Sequence, residues 1–157
     1  MIPARVPDAR WREPIGEAFA IIGPRMTDRI GPVRFICADP VFIGLHHFTD
    51  TGDGRSYRNT AHCCYGSHIA RPADDRLTTV VLPEPPTLDT VVHELGHALD
   101  AALGFTHDAV PVTHYAQTDR QEAFAEAFVA WHWWGYEELA DVRTDGATVA
   151  LFRELAA

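Results

Sequence analysis

Apolar and polar residues follow two rhythms along this chain. Short apolar runs rich in β-branched residues predict strands: VRFICA at 33–38 and RLTTVVLPE at 76–84, the second stopped by Pro83, Pro85 and Pro86. A third strand is predicted within YRNTAHCCYG at 57–66. Longer stretches that mix apolar and charged residues predict helices. The first covers 12–22, with Pro14 near its start and Gly23-Pro24 at its end. The second runs from Leu88 to about Leu103. Thr87 can cap it, Gly96 is its only glycine, it holds no proline, and Gly104 sits where a terminating glycine belongs. The third, DRQEAFAEAFVAWHWW at 119–134, has Asp119 as its cap, Glu122 three residues on, and Gly135 after it. A short helix is expected over 146–155. Residues 40–47 fit either a helix or a strand, TDTGDGRS at 49–56 reads as a loop, and another loop spans about 105–118. Strands come early and strong helices late, which predicts an α+β fold. No internal repeat breaks the 157 residues, so a single domain over 1–157 is expected.

Composition narrows the function. A net charge of −9 removes the basic footprint that a phosphate backbone requires, so no nucleic-acid partner is expected. No apolar run approaches the roughly 20 residues of a membrane span, so no membrane partner is expected either. The opening MIPARVPDARWREP has no apolar secretory core, which gives the expectation of a protein that stays in the cytoplasm or is carried in an assembly. Cys37, Cys63 and Cys64 form an odd set with one adjacent pair. That is a poor disulfide framework, and reduced, mostly buried thiols are expected.

The second helix carries the chemistry. In VVHELGHALD, residues 91–100, His93 and His97 lie four apart and so share one helix face. Both imidazoles can reach one point, and zinc takes neutral imidazole at about 2.0–2.1 Å. Glu94 is one step around the helix, placed to take a proton from a metal-activated water as general base. A metzincin would continue with glycine and histidine where this chain has Asp100 and Leu103, so that class is excluded. A cysteine ligand of the peptide deformylase kind fails as well, since HCCYG lacks the accompanying motifs.

A third ligand must therefore come from elsewhere. Glu122 and Glu126 lie four apart on the next helix, among Ala123, Phe124, Ala125, Ala127 and Phe128. Carboxylates in so apolar a helix are costly to bury without a compensating positive charge, which a zinc ion would supply. A ligand histidine usually gives its second N–H to a carboxylate, and both Glu126 and Asp100 suit that role. Tyr115, with His114 beside it, can donate a hydrogen bond to a developing oxyanion.

HELGHALD followed by YAQTDRQEAFAEAF resembles the catalytic core of the anthrax lethal factor family, to which the Pro-Pro endopeptidases are similar. Both are gluzincin-type zinc metallopeptidases. The likeness covers about residues 87–130 and includes the seven-residue step from Tyr115 to Glu122. It implies a zincin-like domain with a short mixed sheet packed on two helices. It implies His93, His97 and Glu122 as zinc ligands, Glu94 as general base, Tyr115 as the oxyanion donor and Glu126 as the carboxylate behind a ligand histidine. The activity implied is peptide-bond hydrolysis on a peptide or protein substrate, with LTTVVLPE as a candidate edge for pairing with extended substrate. The rival expectation is a zincin-fold component that binds or supports a larger assembly, such as a phage particle, without turnover. Two features stay outside this scheme. His46, His47, His62, Cys63, Cys64 and His68 cluster in the first half without zinc-finger spacing, and Trp131, Trp133 and Trp134 read as core packing.

Overall fold

The computed structural model describes residues 8–37, 61–64, 78–134 and 146–157. Residues 40–47, the loop at 49–56, Gly135, His46, His47 and His68 lie outside them, as do the side chains of His62, Cys64 and Trp134. Among the described residues the chain forms a small α+β domain of five α-helices and a three-stranded sheet.

α1 (Ala9–Ile22) starts earlier than the sequence suggested. Asp8 caps it, accepting from Arg10 N at 2.9 Å, and Pro14 lies inside it. The Gly23-Pro24 pair does end this helix, but Pro24 also opens a second, α2 (Pro24–Ile30). Proline fits the first helical position because its missing N–H would have no partner there, and Gly23 at φ +81° makes the turn between the two axes.

β1 (Val33–Cys37), β2 (His62–Cys64) and β3 (Thr78–Leu82) pair in the order β1-β3-β2. β1 runs parallel to β3, with Val33 opposite Thr78, and β2 runs antiparallel to it, with Cys63 opposite Val80. This corrects the expectation of a free substrate-pairing edge at LTTVVLPE. β3 is the central strand and both its edges are occupied. Its continuous run from Thr79 to Leu82 is fully buried, as a strand covered on both faces must be.

α3 (Leu88–Ala102) is the hub and packs against α1, α2, β2, β3 and the following long helix, α4 (Arg120–Trp134). Thr87 caps α3 by accepting from Thr90 N at 3.2 Å. Its far end closes with Gly104 N to Ala101 O and Phe105 N to Asp100 O, both 3.0 Å, with Gly104 at φ +73°. This is the paired bonding that a left-handed glycine makes available at a helix end. α5 (Gly146–Ala156) lays Phe152 against Phe124, Phe128 and Trp131 at ring separations of 5.5, 5.6 and 5.8 Å. Trp131 therefore packs on the core, while Trp133 donates from Nε1 to the Asp89 carboxylate. Val91, Val92, Leu95, Leu99, Phe124, Phe128 and Phe152 anchor one continuous core.

The half-buried His132 has its ring edge on Phe128 at 4.6 Å, and its Nε2 has no partner among the described residues. Burial pushes its pKa down to about 4. A histidine with a depressed folded pKa supports the fold above its unfolded pKa and loses that support as pH falls toward the folded value. The parent is therefore expected to lose about 2 kcal/mol between pH 7.5 and 5 through this residue. Urea unfolding at the two pH values should show that loss shrinking in His132→Phe; an unchanged pH dependence would refute the assignment.

The described cysteines Cys37 and Cys63 are thiols, not halves of a disulfide, and burial raises Cys37 to about 11. No helix among the described residues is long and apolar enough to cross a membrane.

Candidate metal centre

Two helices build the site, and their closest approach makes it possible. A Cβ placed on Gly96 would lie 3.0 Å from Ala125 Cα and 3.2 Å from Phe128 Cβ, so α4 rests almost directly on the backbone of α3. Ala125, with a single methyl as its side chain, keeps the α4 face low at that contact. Glu122 lies one turn before Ala125 and comes within reach of His93 and His97, while Glu126, directly after Ala125, comes within reach of His93.

Asp119 caps α4, its Oδ1 accepting from Gln121 N at 2.8 Å and Glu122 N at 3.0 Å. In a capping box the Glu122 side chain would turn back toward the cap. Here Glu122 Oε2 faces His93 Nε2 at 3.0 Å and His97 Nε2 at 3.5 Å, while the two Nε2 atoms are 3.1 Å apart. A tetrahedral zinc with bonds of about 2.0–2.1 Å holds its ligands about 3.3–3.4 Å apart, so a triangle of these edges fits around one ion. His93, His97 and Glu122 are the metal-competent group found among the described residues.

The other nitrogen of His93 is also engaged. Nδ1 lies 2.9 Å from Glu126 Oε1, and Glu126 Oε2 accepts from the Thr113 hydroxyl at 2.8 Å. Burial disfavours charge on His93, yet the Glu122 and Glu126 carboxylates on its two nitrogens lift it to about 10. Burial also works against Glu122, but its histidine partners hold its carboxyl well below the usual range; Glu126 is held down chiefly by its bond from His93. Glu94 is 4% exposed and its Oε2 has no hydrogen-bond partner among the described residues. Burial raises it to about 7, with His97 and His93 pulling the other way. Three carboxylates thus gather around two imidazoles in a largely buried pocket. That donor set suits a divalent cation, because neutral imidazoles alone would leave its negative charge uncompensated.

Tyr115 opens a single 3-10 turn (Tyr115–Gln117), its ring centroid 6.0 Å from that of His93 and its surface 52% exposed. His114 precedes it, exposed. Comparison with protein-family models, curated proteins and solved structures gives no match.

Asp100 faces a different partner from the one the sequence suggested. Both its oxygens accept from Arg120, at 2.7 Å each, and Arg120 also donates to the carbonyl of His107 at 2.7 Å. Burial raises Asp100 to about 6 against the pull of Arg120, which leaves it ionised at neutral pH. The Nδ1 of His97 is buried without a partner among the described residues. Glu126 is thus the carboxylate found behind His93, and Asp100 ties the start of α4 to the end of α3. Sequence reasoning passed over Thr113 and Arg120. The available signals were a hydroxyl two residues before Tyr115 and an arginine directly after the capping Asp119.

Proposed function

We propose that this chain is a gluzincin-type zinc metallopeptidase with a zincin-like fold. The observation that supports it best is the convergence of His93 Nε2, His97 Nε2 and Glu122 Oε2 from two helices, with the buried carboxylate of Glu94, whose Oε2 has no partner among the described residues, next to the first of them in sequence. Two imidazoles and one carboxylate are the ligand set of a known class of catalytic zinc site, which leaves a position open to water and substrate.

Zinc held there would polarise the scissile carbonyl and bring the pKa of a water toward about 7. Glu94 takes a proton from the attacking water as its oxygen bonds to the carbonyl carbon. It then hands that proton to the amine as the C–N bond breaks. A carboxyl whose pKa lies near neutrality suits both halves of this exchange. Tyr115 donates its phenolic hydrogen to the oxygen on which negative charge develops, an interaction stronger with the tetrahedral species than with the substrate carbonyl. Its exposed position on a turn lets it meet substrate arriving from solvent.

The test joins elemental analysis of the purified protein with mass-spectrometric cleavage of a mixed peptide library. Stoichiometric zinc is expected, with cleavage that stops on chelation and returns with added zinc. Protein that takes up no zinc would end the reading. A zinc-loaded chain that cuts nothing would instead support the non-catalytic component of a larger assembly.

A further inference from the structure

We propose that Thr113 is a positioning residue for this centre: its hydroxyl fixes which nitrogen of His93 carries the proton and so turns the other toward the metal. The inference rests on the metal reading above.

The argument is one of donors and acceptors. The backbone N–H of Ala116 can only donate, and it donates to Thr113 Oγ1 at 3.0 Å. A hydroxyl has one proton, and with Ala116 as its donor that proton is left for Glu126 Oε2, 2.8 Å away. Glu126 is thereby held as an acceptor with a set orientation. Its second oxygen, Oε1, sits 2.9 Å from His93 Nδ1 and requires a donor, so Nδ1 carries the hydrogen. Glu122 Oε2 also draws a proton to Nε2 in the charged ring; when the ring is neutral, the hydrogen backed by Glu126 and Thr113 is the one on Nδ1, and the lone pair is on Nε2, the atom that faces His97 Nε2 and Glu122 Oε2.

The chain of contacts runs in one direction, from the Ala116 amide through Thr113 and Glu126 to the ligand nitrogen. It also ties the 3-10 turn that bears Tyr115 to the carboxylate behind His93, since Ala116 belongs to that turn. Outer hydrogen-bond partners of ligand histidines fix ring orientation and commonly change metal affinity by about 10–100-fold when removed. His97 has no such support among the described residues, so the orienting work falls on His93.

The experiment uses cobalt(II) as the probe, titrated into metal-free protein and read by the visible absorption of a four-coordinate site. Thr113→Val keeps the side-chain shape and removes the hydroxyl; Thr113→Ser restores it. Thr113→Val is expected to weaken cobalt binding by about 10–100-fold and to alter the absorption bands. Thr113→Ser is expected to recover both. In a Glu126→Ala background Thr113→Val should add no further loss, because the effect passes through that carboxylate. Parental affinity in Thr113→Val, failure of Thr113→Ser to recover it, or an undiminished loss in the Glu126→Ala background would each overturn the assignment while leaving the metal centre standing. A parent chain that gives no cobalt spectrum would overturn the metal centre and this inference together.

Discussion

On the proposed zinc-peptidase reading, Glu94→Gln is expected to bind zinc as the parent does and to lose about 10²–10⁴-fold in kcat/KM, the usual contribution of a positioned general base. The amide has nearly the same shape as the carboxylate but cannot accept and return a proton. The substitution leaves His93, His97 and Glu122 in place, so metal content should match the parent. Stability should not suffer. Burial raises the Glu94 carboxyl to about 7, which means that its ionised form opposes folding above its unfolded pKa. A neutral glutamine removes that opposition. Parallel measurement of zinc content, thermal unfolding and library cleavage separates these effects. A glutamine variant that cleaves at the parental rate would remove Glu94 from the mechanism.

Arg120→Ala is expected to cost about 3–5 kcal/mol in the metal-free protein, because it leaves a buried carboxylate without its counter-charge. Asp100 is 0% exposed and receives two 2.7 Å bonds from that guanidinium. The same side chain satisfies the carbonyl of His107, so the loop after α3 loses an anchor as well. The loss should be largely repaired in Asp100→Leu/Arg120→Met, in which neither charge is buried, since replacing both members of a buried pair is often nearly neutral. Denaturant unfolding of the three proteins decides the matter. A single variant within about 1 kcal/mol of the parent would show that water reaches Asp100 and that the pair contributes little. Because Arg120 lies two residues before Glu122, its loss is also expected to weaken zinc binding.

The helical part of the site was legible because local chemistry writes it. Thr87, Gly104 and Asp119 are cap residues with short-range partners, and each does what its type and position imply. The i, i+4 spacing on each helix fixed which side chains share a face. What stayed hidden depends on partners distant in sequence. The Glu122 side chain had a local alternative in the capping box, and only the approach of α3 turns it toward the histidines. Asp100 was read through its nearness to His97, whereas its partner arrives 20 residues later. α2 was missed because Gly23-Pro24 marks the end of one helix and the start of another with the same two letters. The central place of β3 could not be read from TTVVL either, since a run buried on both faces does not say which strands cover its edges.

The contact at Gly96 changes what the two unspecified letters of His-Glu-x-x-His mean in this chain. Packing constrains both. Leu95 is wholly inside the core, and even a Cβ at position 96 would require α4 to give by a few tenths of an ångström. A larger side chain immediately before His97 would hold the helix that bears Glu122 farther from the two histidines. The identity of a single letter that offers no donor atom therefore sets how near Glu122 can come to His93 and His97.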